Sequence, residues 1–240
     1  METQTIELST TDGPMALYEA RPDGDARGAV IVIQEAFGVN DHIEDVTRRF
    51  ADAGYHAVAP AIFHRAGGGT APYDDFSKVM PLFEGLTDDG VLTDVDATIE
   101  QLHREGFNDG SIGIVGFCFG GRVTFLVSAR RALGAGVGFY GGGITHNSQG
   151  MAGPLHDEAT SMKTPWLGLF GDEDAMIPVD GVDDLRASLD EAPVNTEVVR
   201  YPGAGHGFHC DARESYHEAS AKDGWERALA WFSTHLAQPS

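Results

Sequence analysis

The chain has 240 residues, 42% of them hydrophobic, which suffices for a substantial core and excludes an intrinsically disordered protein. Its 37 acids against 16 Lys and Arg give a formal charge of −21, so a polyanion such as nucleic acid is repelled over most of the surface. Cys118 and Cys210 are too few for a disulfide scaffold, and no apolar run approaches the roughly 20 residues that span a bilayer.

The N-terminal METQTIELSTTDG has neither the basic start nor the apolar core of a secretory leader. The expectation is one soluble cytoplasmic domain over residues 1–240, with no nucleic-acid or membrane partner. Residues 4–9 and 15–20 read as an opening hairpin around Asp12-Gly13. AVIVIQ (29–34) has the β-branched continuity of a strand buried on both faces. Ile43, Val46, Phe50 and Ala53 recur at helical spacing, so 41–53 is a helix with Asn40 or Asp41 as cap and Gly54 as stop. YHAVAPAIF (55–63) is a second buried strand.

A long irregular stretch follows at 64–90, with a short helix expected around 74–84; excursions of this length are often functional. Val91, Val95, Ile99 and Leu102 share one side of a helix at 91–104. Then come a strand at 111–116, a helix at 120–131, a strand at 135–140, a loop at 141–164, and a strand at 166–171. A helix at 179–190, a strand at 195–201 and a long final helix at 212–236 complete the chain. This alternation predicts an α/β fold with a mostly parallel central sheet covered by helices on both faces. Active residues of such sheets sit on loops at the carboxyl ends of strands.

One such loop carries GIVGFCFGGR (113–122), which matches a nucleophile elbow with Cys118 at its apex. A strand that turns into a helix within two residues brings backbones too close for side chains at 116 and 120, hence the glycines. The thiol is raised above the sheet at a helix N-terminus, where the backbone dipole favours a thiolate. In this fold the nucleophile is followed along the chain by an acid and then a histidine. GDEDAMIP (171–178) supplies Asp172, Glu173 and Asp174, of which Asp174 best fits a Gly-x-x-Asp turn; YPGAGHGFH (201–209) supplies His206 between two glycines. His206 is expected to act as base and acid, with the carboxylate fixing its tautomer. The backbone N–H of Phe119 is the expected oxyanion donor. HGFHC (206–210) could suggest a metal, but two His and one Cys on one short loop do not make the closed spacing zinc requires. No metal or cofactor is expected.

QEAFGVN (34–40), GFCFGGR (116–122), FYGGG (139–143), GDEDAMIP and GAGHGF (203–208) together resemble the dienelactone hydrolases, the cysteine branch of the α/β-hydrolase fold. The resemblance runs from residue 29 to the final helix. It implies that Glu35 pairs with the resting thiol and takes its proton when substrate binds, and that Ala36 supplies the second oxyanion N–H. It also implies substrate-binding arginines after the strand matching 55–63 and shortly after the histidine. Here the loop at 64–90 offers Arg65 and Lys78, while Cys210 stands four positions beyond His206 and Arg213 further on. Phe37, Arg65, Tyr140 and Phe208 are the expected substrate contacts.

The reading is therefore hydrolysis of a small ester or lactone, of the dienelactone (carboxymethylenebutenolidase) type, through a cysteine thioester. Two alternatives stay open: a broad carboxylesterase or thioesterase, and a non-hydrolytic redox module with Cys210 resolving an oxidised Cys118.

Overall fold

The computed structural model describes residues 1–146 and 153–238. Eight strands form one sheet: β1 (Glu2–Thr10), β2 (Gly13–Arg21), β3 (Ala29–Ile33), β4 (His56–Pro60), β5 (Ile112–Phe117), β6 (Ala135–Phe139), β7 (Trp166–Gly171) and β8 (Thr196–Tyr201). Their spatial order is β1-β2-β4-β3-β5-β6-β7-β8. β1 and β2 form an antiparallel hairpin, and β2 pairs antiparallel with β4; every later pairing is parallel. The carboxyl ends of β3 through β8 therefore share one edge of the sheet, and every loop that carries a candidate site residue leaves from it.

Residues of β3, β4, β5, β6 and β7 are buried along their whole length, as their apolar runs demand, whereas edge strand β8 is partly exposed along most of its length, with Glu197 exposed and Tyr201 buried. Each fully buried Val, Leu or Ile contributes roughly 1.5–3 kcal/mol through lost apolar surface.

Five helices cover the sheet: α1 (Asp41–Asp52), α2 (Asp88–Arg104), α3 (Phe119–Arg130), α4 (Val179–Leu189) and α5 (Glu218–His235). On one face α1 meets α5, where Phe50 packs 4.5 Å from Trp225 and 5.8 Å from Phe232, ring centre to ring centre. α2 and α3 pack together on the other. The Asn40 side chain caps α1 by accepting from Ile43 N–H. No helix among the described residues is long and apolar enough to cross a membrane.

Four elements depart from the sequence reading by three residues or more. α2 begins at Asp88, capped by the Thr87 hydroxyl, rather than at 91. The helix expected around 74–84 is two short 3-10 turns, Phe76–Lys78 and Met80–Phe83; Pro81 lacks the N–H that a continuous helix would use. The strand expected over 55–63 stops at Pro60, and a 3-10 turn over Ile62–Ala66 follows. The final helix starts at Glu218 rather than 212, because the preceding residues are held elsewhere: Asp211 by Arg49, and Arg213 by Glu35. The loop expected over 141–164 contains a 3-10 turn at His156–Ser161, and its residues 147–152 lie outside the described residues.

Candidate active site

Cys118 stands between β5 and α3 with φ 55° and ψ −114°, a left-handed backbone for a non-glycine residue. The glycines around it are obligatory. A Cβ on Gly116 would lie 2.2 Å from the Gly120 carbonyl oxygen, and one on Gly120 would lie 2.4 Å from that of Ile33. The bend is anchored by Cys118 N–H donating to Phe139 O at 3.0 Å. Its result is a partly exposed sulfur at the first turn of α3, where the Phe119 N–H has no place in the helical ladder.

His206 Nε2 lies 3.0 Å from Cys118 Sγ, and its Nδ1 lies 2.7 Å from Asp174 Oδ2. Asp174 is itself fixed, its Oδ1 accepting from Met176 N–H at 2.8 Å. Asp172, two residues earlier, points away and pairs with Arg200 at 2.7 Å. Burial opposes a charge on His206, but the Cys118 sulfur and the Asp174 carboxylate outweigh it and raise the imidazole to about 10. The arrangement thus favours a protonated imidazole, held between the sulfur and the carboxylate.

Ala36, Phe37, Cys118 and His206 border a cavity of about 210 Å³. Its other walls come from the 64–90 excursion, through Tyr73, Phe76, Val79, Met80 and Phe83, together with Met176 and Arg213. The space is apolar and aromatic apart from the thiol, the imidazole and one guanidinium. Arg213 lies over the rings of Phe37 and Tyr73, 5.5 Å from each centre. Its Nη1 is 3.5 Å from Glu35 Oε1. Exposed Phe76, Met80 and Met176 rim the opening.

The expected residues separate into two groups. Cys118, His206 and Asp174 form one hydrogen-bonded line, and Ala36 and Phe37 border the same cavity. Glu35 is fully buried beside them, yet its hydrogen bond goes to Arg213 and not to the thiol, and its Oε2 has no partner.

Arg65, Tyr140 and Phe208, expected as substrate contacts, do not border the cavity. Arg65 is drawn to the fully buried Asp94, which it grips with two bonds of 2.6 and 2.9 Å, and it also reaches Asp12. A buried carboxylate demands such a fork-shaped partner. Tyr140 is fully buried behind His206, ring centres 5.2 Å apart, with φ 38° and a hydroxyl that has no partner. Phe208 packs into the core against Tyr140 and Tyr201. Arg122, next to the elbow, turns away to Asp88 and Gly153 O.

The HGFHC stretch sends its polar side chains to three places. His206 meets Cys118. His209 is buried among Phe117, Phe139 and Trp225, and burial pushes its imidazole down to about 3. Cys210 is buried with Sγ 3.5 Å from the Tyr73 hydroxyl, and burial pushes its thiol up to about 11. Arg213, noted in the sequence only as a base further on from His206, is the cavity residue left out of the expected substrate contacts. The available signal was its distance of a few residues from His206 on a loop already marked as functional.

A model of the dienelactone hydrolase family matches residues 15–236. A Salmonella typhimurium protein named "Putative carboxymethylenebutenolidase" is 42% identical over 231 residues, covering 92% of this chain and 83% of that protein. A Bradyrhizobium protein named "Probable 2-oxo-3-(5-oxofuran-2-ylidene)propanoate lactonase" is 30% identical over 245 residues and covers 98% of each chain. Among solved structures, one titled as a putative dienelactone hydrolase from Klebsiella pneumoniae superposes with a TM-score of 0.89 at 39% identity, covering 97% of this chain and 98% of that one.

Proposed function

This chain belongs to the dienelactone hydrolase family and hydrolyses ester or lactone bonds; from that premise we propose that Cys118 carries the reaction as a covalent nucleophile, on small lactones or esters that bear an anionic group. The observation that carries this reading is the line Cys118–His206–Asp174, with contacts of 3.0 and 2.7 Å, opening on the cavity.

In the first half, the thiolate attacks the acyl carbon and a C–S bond forms. The carbonyl oxygen becomes an oxyanion, held by the N–H groups of Phe119 and Ala36. As the C–O bond breaks, the His206 imidazolium gives its proton to the departing oxygen, leaving a thioester on Cys118. In the second half, neutral His206 takes a proton from water, the hydroxide attacks the thioester, and the thiolate leaves. Asp174 keeps Nδ1 protonated throughout, so Nε2 is always the atom that exchanges.

The anionic group is argued from Arg213, the guanidinium among the cavity's bordering residues. Its 3.5 Å contact with Glu35 is long enough for a substrate carboxylate to compete for the guanidinium. Glu35 would then be left as an uncompensated buried carboxylate, able to accept the thiol proton. The Bradyrhizobium relative's name describes a furanone ring joined to a propanoate, a lactone with such a group.

The redox alternative is disfavoured by Cys210, whose sulfur is buried on Tyr73 and whose thiol is held protonated. The deciding experiment is acyl-enzyme trapping with a slow ester, followed by mass spectrometry of the digest. The expected adduct sits on the peptide holding Cys118, survives in Cys210→Ala and disappears with activity in Cys118→Ala. Full turnover by Cys118→Ala would sink the mechanism.

A further inference from the structure

We propose that Glu19, His56 and Glu105 form a binding site for a first-row divalent cation of the zinc class, at the end of the sheet opposite the cavity. His56 opens β4 and is level with Ala29 at the start of β3, whereas the residues that border the cavity follow the ends of the strands. Glu19 comes from β2, in register with Val58 of β4, and Glu105 is the C-cap that follows α2. The three residues each offer a ligand atom, all within 4.8 Å of one another, and among the described residues no other group of His, Cys, Asp and Glu is so placed.

A second observation points to a ligand. Glu19 is 1% exposed and His56 is 2% exposed, yet Glu19 Oε1 and His56 Nε2 have no hydrogen-bond partner. One oxygen of each carboxylate is held by a glutamine: Gln4 donates to Glu19 Oε2 at 2.8 Å, with Arg21 Nη2 also donating to it at 3.4 Å, and Gln101 donates to Glu105 Oε1 at 2.7 Å. The opposite oxygen of each is left without a hydrogen bond. Glu105 Oε2 comes within 3.2 Å of His56 Nδ1 and 3.0 Å of Arg21 Nη2, but neither approach has hydrogen-bonding geometry. A buried oxygen with no partner at all, such as Glu19 Oε1, is costly, and outer partners that aim ligands without consuming their lone pairs are the usual surroundings of a metal.

The donor set is one imidazole and two carboxylates, which suits zinc and its neighbours better than calcium. The charge that now balances the two carboxylates is the Arg21 guanidinium, 38% exposed at its side chain and able to turn to solvent. A cation there would draw the ligand atoms together, since ligands on tetrahedral zinc stand only about 3.4 Å apart at bonds of about 2.0–2.2 Å. A polar cavity of about 470 Å³ bordered by Arg21, His56 and Glu105 gives the ion an entry path and room for completing waters. Bound there, the cation would tie β2, β4 and the end of α2 together.

The test is zinc titration of the full chain by calorimetry, with cobalt(II) absorption as the reporter of ligand type. About one saturable equivalent is expected, with affinity weakened at least about tenfold in Glu105→Gln and in His56→Gln. Arg21→Gln, which removes the competing charge, is expected to bind more tightly, and it covers the case in which His56→Gln fails to fold. With zinc at about 100 times its dissociation constant, the melting temperature should rise by roughly 5–10 °C. A cobalt spectrum with thiolate charge-transfer bands would place the ion on a cysteine and overturn the proposal. So would the absence of saturable uptake, or an affinity unchanged in Glu105→Gln and Arg21→Gln alike.

Discussion

Glu35 Oε1 and Arg213 Nη1 stand 3.5 Å apart although 178 positions separate the residues, and the other Glu35 oxygen is buried without a partner. This pair joins the end of β3 to the loop after His206 and places a guanidinium in an otherwise apolar cavity wall. Arg213→Met is expected to raise KM for a carboxylate-bearing lactone by about tenfold to a hundredfold, the worth of a hydrogen bond to a charged group. A neutral ester of similar size should show little change. Steady-state kinetics on the two substrates separates the effects, and equal losses on both would mean that Arg213 only supports the wall.

Glu35→Gln keeps the side chain's shape and removes its charge. The expected result is a fall in kcat on the anionic lactone of about a hundredfold, within the range of lost general-base catalysis. Unchanged kcat would remove Glu35 from proton transfer and leave it as an anchor for Arg213.

The raised imidazole of His206 links stability to pH. Its value of about 10 lies above the ordinary 6.5, so the folded state holds this proton more tightly than the unfolded chain does. That contribution is complete below pH 6.5 and is lost as pH rises toward 10. Facing groups are Cys118, Asp174 and the Tyr140 ring. Thermal melts of wild type and His206→Gln should therefore converge as pH is raised from 6 to 10. A gap that stays constant over that range would contradict the charged pair.

Gly120→Ala tests the elbow. The new methyl would meet the carbonyl oxygens of Ile33 at 2.4 Å and Gln34 at 2.7 Å, and both belong to backbone. Overpacking of this kind costs about 1–3 kcal/mol. It also pushes the end of β3, and with it Ala36, away from Phe119. Activity should fall far more than the melting temperature; an active, equally stable variant would show that the approach is looser than described.

Tyr140→Phe removes a buried hydroxyl that has no partner while keeping the ring against His206. Stability should hold or rise by about 1 kcal/mol, because an unsatisfied buried donor is removed. KM should not move. A several-fold rise in KM would mean that the hydroxyl reaches substrate after all.

Much of this was legible from residue order. The buried strands announce themselves as apolar runs because both faces of a parallel sheet are covered. The elbow is readable because only glycine tolerates carbonyl oxygens at 2.2–2.4 Å: Gly116 records a contact with Gly120 that is local in sequence, whereas Gly120 records the distant approach of Ile33. The helix ends were less legible: Thr87 and His217 act as caps, and which polar residue captures a free N–H depends on where the chain is steered next.

Residue order alone sets the alternation of elements, the tight turn at Gly116, and the loops on which a thiol, an acid and an imidazole leave the sheet, since each follows from short-range sterics and periodicity. It takes the folded arrangement to show that Asp174 rather than Asp172 faces His206, that Arg65 is consumed by Asp94, and that Arg213 enters the cavity. Those outcomes turn on which buried charge finds which partner across the fold. Coulomb and desolvation energies depend on separations in space, and no spacing along the chain encodes them.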